Sequence, residues 1–90
     1  MKVLTASLVI FNPNKTRVLE TIESLFQNYL EVRLIIIDNS LQKGNLSELI
    51  PIRYKEKITY FWNGKNIGFG AGHNLAVMKL CPPSEYHLFI

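Results

Sequence analysis

Cysteine is almost absent. Cys81 is the one cysteine in 90 residues, so no disulfide can close within the chain. One thiol and two distant histidines, His73 and His87, cannot assemble a zinc cluster either. A reducing cytoplasm is the expected setting. Cys81 precedes Pro82-Pro83 and reads as a small hydrophobe near a helix end rather than a reactive thiol. Long apolar runs are absent as well. None reaches the ~18 residues that a membrane span needs. The start, Met1-Lys2 followed by Val3–Phe11, resembles a leader peptide but has no small-residue cleavage site, and Asn12-Pro13-Asn14 stops it. A buried first strand is the expectation. Charge is sparse: 19% of residues, with a net charge of +3 and a pI near 9.2. The ten Lys and Arg residues are scattered, which argues against a nucleic-acid footprint, although a mildly basic chain suits a phosphate-bearing ligand. What is present is 48% hydrophobic residues, enough for a globular domain and too many for a disordered one. The length admits one domain, residues 1–90, with a thin stability margin.

The hydrophobic pattern alternates between two periods. Leu4–Phe11 is a nearly continuous apolar run, as in a strand buried on both faces. After the Asn12-Pro13-Asn14 turn, Val18, Leu19, Ile22, Leu25, Phe26 and Tyr29 share one helical face, with Arg17, Glu20, Glu23 and Gln27 opposite, and Asn14 or Thr16 as the N-cap. Val32–Ile37 predicts a second strand, ended by Asp38-Asn39-Ser40. Asn45 opens a short helix carrying Leu46, Leu49 and Ile50, which Pro51 closes. Ile58–Trp62 predicts a third strand. A glycine-dense loop, Asn63 to Gly72, leads into a helix from about Ala71 to Leu80, with Leu75, Ala76, Met78 and Leu80 as packing residues and Pro82-Pro83 as the stop. Tyr86–Ile90 opens a fourth strand. This order predicts an α/β fold: a mainly parallel, Rossmann-like sheet with flanking helices. No repeat, linker or low-complexity segment interrupts it.

Ligands of such sheets sit at the carboxyl ends of the strands. Three loops leave those ends: Phe11–Asn14, Asp38–Ser40 and Trp62–Gly72. Asp38 either accepts hydrogen bonds from a ribose diol or base, or caps the turn that follows. Asn39 and Ser40 carry the same two readings. Gly68-Phe69-Gly70-Ala71-Gly72 is neither the dinucleotide fingerprint nor a phosphate-binding loop with a terminal Gly-Lys-Ser/Thr. Its glycines either let a helix start face an anion or let the helix pack closely on the sheet. His73 and Asn74 fall in the first turn of that helix, where a histidine is more often structural than basic. His87 alternates with apolar neighbours, and Trp62 and Phe69 read as packing residues or as stacking platforms.

Three segments, Ala6-Ser7-Leu8-Val9-Ile10-Phe11-Asn12, Ile36-Ile37-Asp38-Asn39-Ser40 and Asn66-Ile67-Gly68-Phe69-Gly70-Ala71-Gly72-His73-Asn74, together resemble family 2 glycosyltransferases of the GT-A fold. The likeness is closest to the rhamnosyltransferase-like branch of bacterial surface-polysaccharide synthesis, and the third segment is its most specific part. The resemblance spans essentially the whole chain and implies the N-terminal half of a GT-A fold. It implies a nucleotide pocket built from Phe11 and Asn12 after the first strand, Asp38 and Asn39 after the second, and Asn66, Gly68 and Asn74 around the glycines. The implied partner is a UDP- or dTDP-sugar. The implied location is the cytoplasm, at the inner face of the membrane. His73 stands where relatives commonly carry Asn, so no role transfers to it. The family's D-x-D-like motif, which holds Mg or Mn on the diphosphate, belongs just after the fourth strand, and the catalytic base follows later. Neither is found in this sequence, so the resemblance implies a portion that holds no cofactor and does not catalyse alone. The competing expectation is a non-catalytic α/β module that forms a homo-oligomer or binds a partner through an open sheet edge.

Overall fold

The computed structural model describes residues 4–29, 31–80, 84 and 86–90. Strands and helices alternate: β1 (Leu4–Ile10), α1 (Lys15–Asn28), β2 (Val32–Asp38), α2 (Leu46–Leu49), α3 (Ile52–Lys55), β3 (Ile58–Trp62), α4 (Phe69–Leu75) and β4 (Tyr86–Phe89). A π-helical segment, Ala76–Leu80, extends α4. The strands form one parallel sheet in the order β3-β2-β1-β4. The chain therefore moves outward from β1 to β3, then crosses back to lie on the other side of β1.

The period of two along each strand decides which helix covers which face. Ala6, Leu8 and Ile10 of β1 and Leu34 and Ile36 of β2 pack against Val18, Ile22 and Leu25 of α1 and against Leu46 and Ile50. Val9, Ile35 and Ile37 point the other way and meet Leu75 and Ala76. The reversal between β1 and β4 makes their carboxyl ends a topological switch point, the usual place for a ligand in such a sheet. Ile10 pairs with Asp38, and Asp38 with Trp62, so three strand ends finish level on one edge.

Local signals explain most element boundaries. Asn14 caps α1, its side-chain oxygen accepting the Arg17 N–H at 3.1 Å. Thr16 lies inside the helix. Tyr29, expected on the packing face, sits at the C-cap in extended backbone and is largely exposed. Pro51 does not end helical structure: it closes α2 and stands at the N-cap position of α3, where a missing N–H costs little. The helix expected from Ala71 starts two residues earlier, at Phe69. Gly68 precedes it with φ 88°, a left-handed value that a side chain would strain. Met78, expected to pack, is 79% exposed, whereas Ala76 is buried. Cys81 and the Pro82-Pro83 stop lie outside the described residues, as does the side chain of Leu80.

Gly72 is where α4 closes on the sheet. A Cβ there would stand 2.8 and 2.9 Å from the two Val9 methyls. Real contacts of that length do not occur, so glycine is what lets the helix lie this near β1. No helix among the described residues is long and apolar enough to cross a membrane.

Candidate functional site at the carboxyl edge of the sheet

The loops after β1, β2 and β3 meet on one rim, and hydrogen bonds fasten them to each other. The sheet ladder runs one step past the strands: Asn39 donates its N–H to Ile10 at 2.8 Å, and Asn63 donates to the Asp38 carbonyl at 2.8 Å. Asn12 then turns with φ 44°, the left-handed region that Asn tolerates better than most residues. Its N–H is thereby directed to Ser40 Oγ at 2.7 Å, joining the first loop to the second. The Asn39 side chain joins the second to the third: Nδ2 donates to the Gly68 carbonyl at 3.2 Å, and Oδ1 accepts from Asn63 Nδ2 at 3.3 Å. Asn66 folds its own loop by accepting the Gly68 N–H at 2.9 Å.

Asp38 is 3% exposed and ends β2 with both carboxylate oxygens engaged. Oδ1 accepts the Ser40 N–H at 3.0 Å, the turn-capping arrangement. Oδ2 accepts the Tyr60 hydroxyl. Each oxygen keeps a second lone pair. Burial first, then the hydrogen bond to Asp38 and its charge, push the Tyr60 hydroxyl well above the ordinary tyrosine range. Trp62 completes the rim by donating its indole N–H to the Ser40 carbonyl at 2.9 Å.

Between the first and second loops lies a pocket of about 270 Å³, lined by Asn12, Lys15, Asp38, Ser40, Gln42 and Leu46 among others. It combines a carboxylate, an ammonium, an amide and an apolar surface. Such a set suits a flat polar molecule that presents both donors and acceptors. Lys15 is held at the mouth by donating to Asn45 Oδ1. A larger groove of about 1320 Å³ runs between α1 and β4, but the bonded loops converge on the smaller pocket.

The residues singled out from sequence divide into two groups. Asn12 and Asp38 line the pocket, and Asn39, Asn66 and Gly68 build the wall of bonded loops beside it. Phe11 and Asn74 are exposed and do not line it. Because α4 starts at Phe69, Asn74 falls in its second turn rather than its first. Sequence reasoning missed Tyr60, Lys15 and Gln42. Tyr60 shares the face of Asp38 through the register that pairs Ile36 with Tyr60, which the sequence pattern does not fix. His73, left without a site role, is buried and bonded to Ser7.

Among the described residues lining the pocket, Asp38 is the one carboxylate, and its oxygens already accept hydrogen bonds. This set does not fit a divalent cation, which takes about six or more oxygen ligands. The chain matches no protein-family model and no curated protein. Its residues and their geometry carry the functional reading.

Proposed function

We propose that the chain is the N-terminal nucleotide-sugar-binding portion of an inverting glycosyltransferase with a GT-A fold, of the rhamnosyltransferase-like branch that builds bacterial surface polysaccharides. One observation carries the reading: the loops bearing Asn12, Asp38 and Gly68 are bonded into a single rim beside a polar pocket. On this reading Asp38, with one lone pair left on each oxygen, accepts from the base or ribose of a UDP- or dTDP-sugar. Asn12 and Lys15 border that ligand, and Asn39 keeps the glycine loop in place. Phe11 and Asn74 remain outer contacts of the same ligand.

The parent reaction is a direct displacement. The acceptor oxygen bonds to the anomeric carbon as the nucleoside diphosphate leaves, and the acceptor proton passes to a base. That base, and the Mg or Mn that steadies the leaving diphosphate in this family, belong to parts of the enzyme beyond these residues. Binding is the activity assigned to this portion, in the cytoplasm at the inner face of the membrane.

Trp62 is the single tryptophan, and its indole is bonded to the rim, so its fluorescence reports on the pocket. Titration with UDP or dTDP should change the emission saturably, and Asp38→Asn should weaken the response. No change at millimolar nucleotide contradicts the proposal.

A second reading, a module that pairs with its own copy, draws on a different feature. β4 ends the sheet with Phe89 exposed, beside the wide groove along α1. It predicts a dimer in light scattering and an emission unchanged by nucleotide.

A further inference from the structure

The face of the sheet turned toward α4 carries a chain of polar groups that the rim does not use. Ser7, at the middle of β1, is 0% exposed, yet its hydroxyl touches two imidazoles. Ser7 Oγ lies 2.5 Å from His73 Nδ1 on α4 and 2.8 Å from His87 Nε2 on β4. Two residues back, Thr5 Oγ1 lies 2.7 Å from His87 Nδ1 and donates to the Tyr86 carbonyl at 3.2 Å. Ser84 closes the chain 2.7 Å from the same Thr5 hydroxyl.

Each hydroxyl has one hydrogen to give, so fixing one link fixes those next to it. Thr5 and Ser84 both donate toward the Tyr86 carbonyl, at 3.2 and 3.0 Å, and with the Thr5 hydrogen placed there His87 Nδ1 carries the proton between them. His87 Nε2 is then bare and accepts from Ser7. Ser7 in turn accepts from His73 Nδ1–H, which leaves His73 Nε2 a lone pair. That nitrogen is buried and has no hydrogen-bond partner among the described residues. An unmet acceptor is the less costly orphan, which favours this direction over the reverse one. It requires both imidazoles to be neutral. A proton on His87 Nε2 would leave Ser7 facing two donors. A proton on His73 Nε2 would bury an N–H with no acceptor among the described residues, on an imidazole whose centroid is 4.3 and 5.1 Å from those of Phe69 and Phe89.

We propose that Ser7, His73 and His87 form a proton-sensitive latch that, while neutral, fastens α4 and β4 to β1 and, when acidified, releases α4 together with the Gly68 side of the rim. The proposal stands apart from the identity of the rim's ligand. Among the described residues, few other charges face the latch. The titratable groups of α4 and its extension are His73 and Lys79, those of β4 are Tyr86 and His87, and β1 has none. On β2, Arg33 stands beside Thr5 in register, and Asp38 lies at the far end of the strand. Burial lowers the His73 pKa below the ordinary 6.5, with the Ile90 backbone opposing. Burial also lowers that of His87, and the charge His73 would carry lowers it further.

Because both folded-state values are depressed, the unfolded chain takes up protons first. Stability is full above the free-imidazole value and falls as pH drops below it, toward the folded-state values. The sequence holds only these two histidines, so proton uptake on unfolding in this window belongs to them. The unfolding constant should rise up to ~10-fold per pH unit for one proton and up to ~100-fold for two.

The test is an NMR titration of the whole chain from about pH 7.5 to 5, following the ring nitrogens and the Gly68–Gly72 amides, with urea unfolding across the same range. Both rings should be Nδ1–H tautomers at neutral pH and should titrate below 6.5. The glycine amides should move with the same midpoints. Ser7→Ala should raise the His87 midpoint, because the hydroxyl that donates to its neutral Nε2 is lost; if that variant does not fold, the titration of the unaltered chain decides. Midpoints at or above the free-imidazole value, or glycine amides unmoved through the transition, overturn the latch.

Discussion

The Asn39 side-chain amide donates to the Gly68 carbonyl at 3.2 Å, across 29 residues of sequence, and so ties the end of β2 to the glycine loop. Asn39 is 1% exposed, and its other amide atom is engaged by Asn63. The rim is therefore not three loops that happen to be neighbours. It is one bonded unit in which a buried asparagine is the joint.

Replacing that joint separates the loops. Asn39→Ala removes the amide's bonds to the Gly68 carbonyl and to Asn63, at a cost of roughly 0.5–1.5 kcal/mol for each bond. Urea unfolding should show the loss. Hydrogen exchange should quicken at Gly68–Gly72 more than at the amides of β1. Equal quickening throughout would mean that Asn39 acts on the whole fold rather than on the rim.

The approach of α4 to β1 is set by a missing side chain. Gly72→Ala would put a methyl about 2.8 Å from Val9, so overpacking should destabilise by ~1–3 kcal/mol. Val9→Ala opens the same space. The double variant should be less destabilised than the sum of the singles, a coupling that a double-mutant cycle measures.

Tyr60 supplies one of the donors to the buried Asp38 carboxylate. Tyr60→Phe should cost roughly 1–3 kcal/mol, because a bond to a charged group is lost. In the unaltered chain, alkaline difference spectra should contain one phenolate that forms later than the ordinary tyrosine value of about 10. That late phase should vanish in Tyr60→Phe.

The sequence made the rim legible through topology alone. Parallel strands send their carboxyl ends to one edge, so Asn12, Asp38 and Gly68 had to be neighbours once the alternation of periods was recognised. The fate of Asp38 was open between ligand contact and turn cap, and the cap to Ser40 is realised. Tyr60 stayed hidden because strand register depends on packing that no local pattern encodes. Asn74 was misplaced by two residues of helix start, a usual boundary error equivalent to about half a turn of the helix. The Ser7, His73 and His87 contacts lie on three elements 66 and 80 residues apart, and only the docking of α4 and β4 on β1 creates them.

The central claim is that this rim binds a nucleoside diphosphate, and an amide chemical-shift map with UDP and dTDP tests it most directly. Saturable shifts confined to Asn12, Lys15, Asp38–Ser40 and Gly68–Asn74 are the predicted result. Shifts gathered in the groove between α1 and β4, or no shifts at millimolar nucleotide, would contradict it.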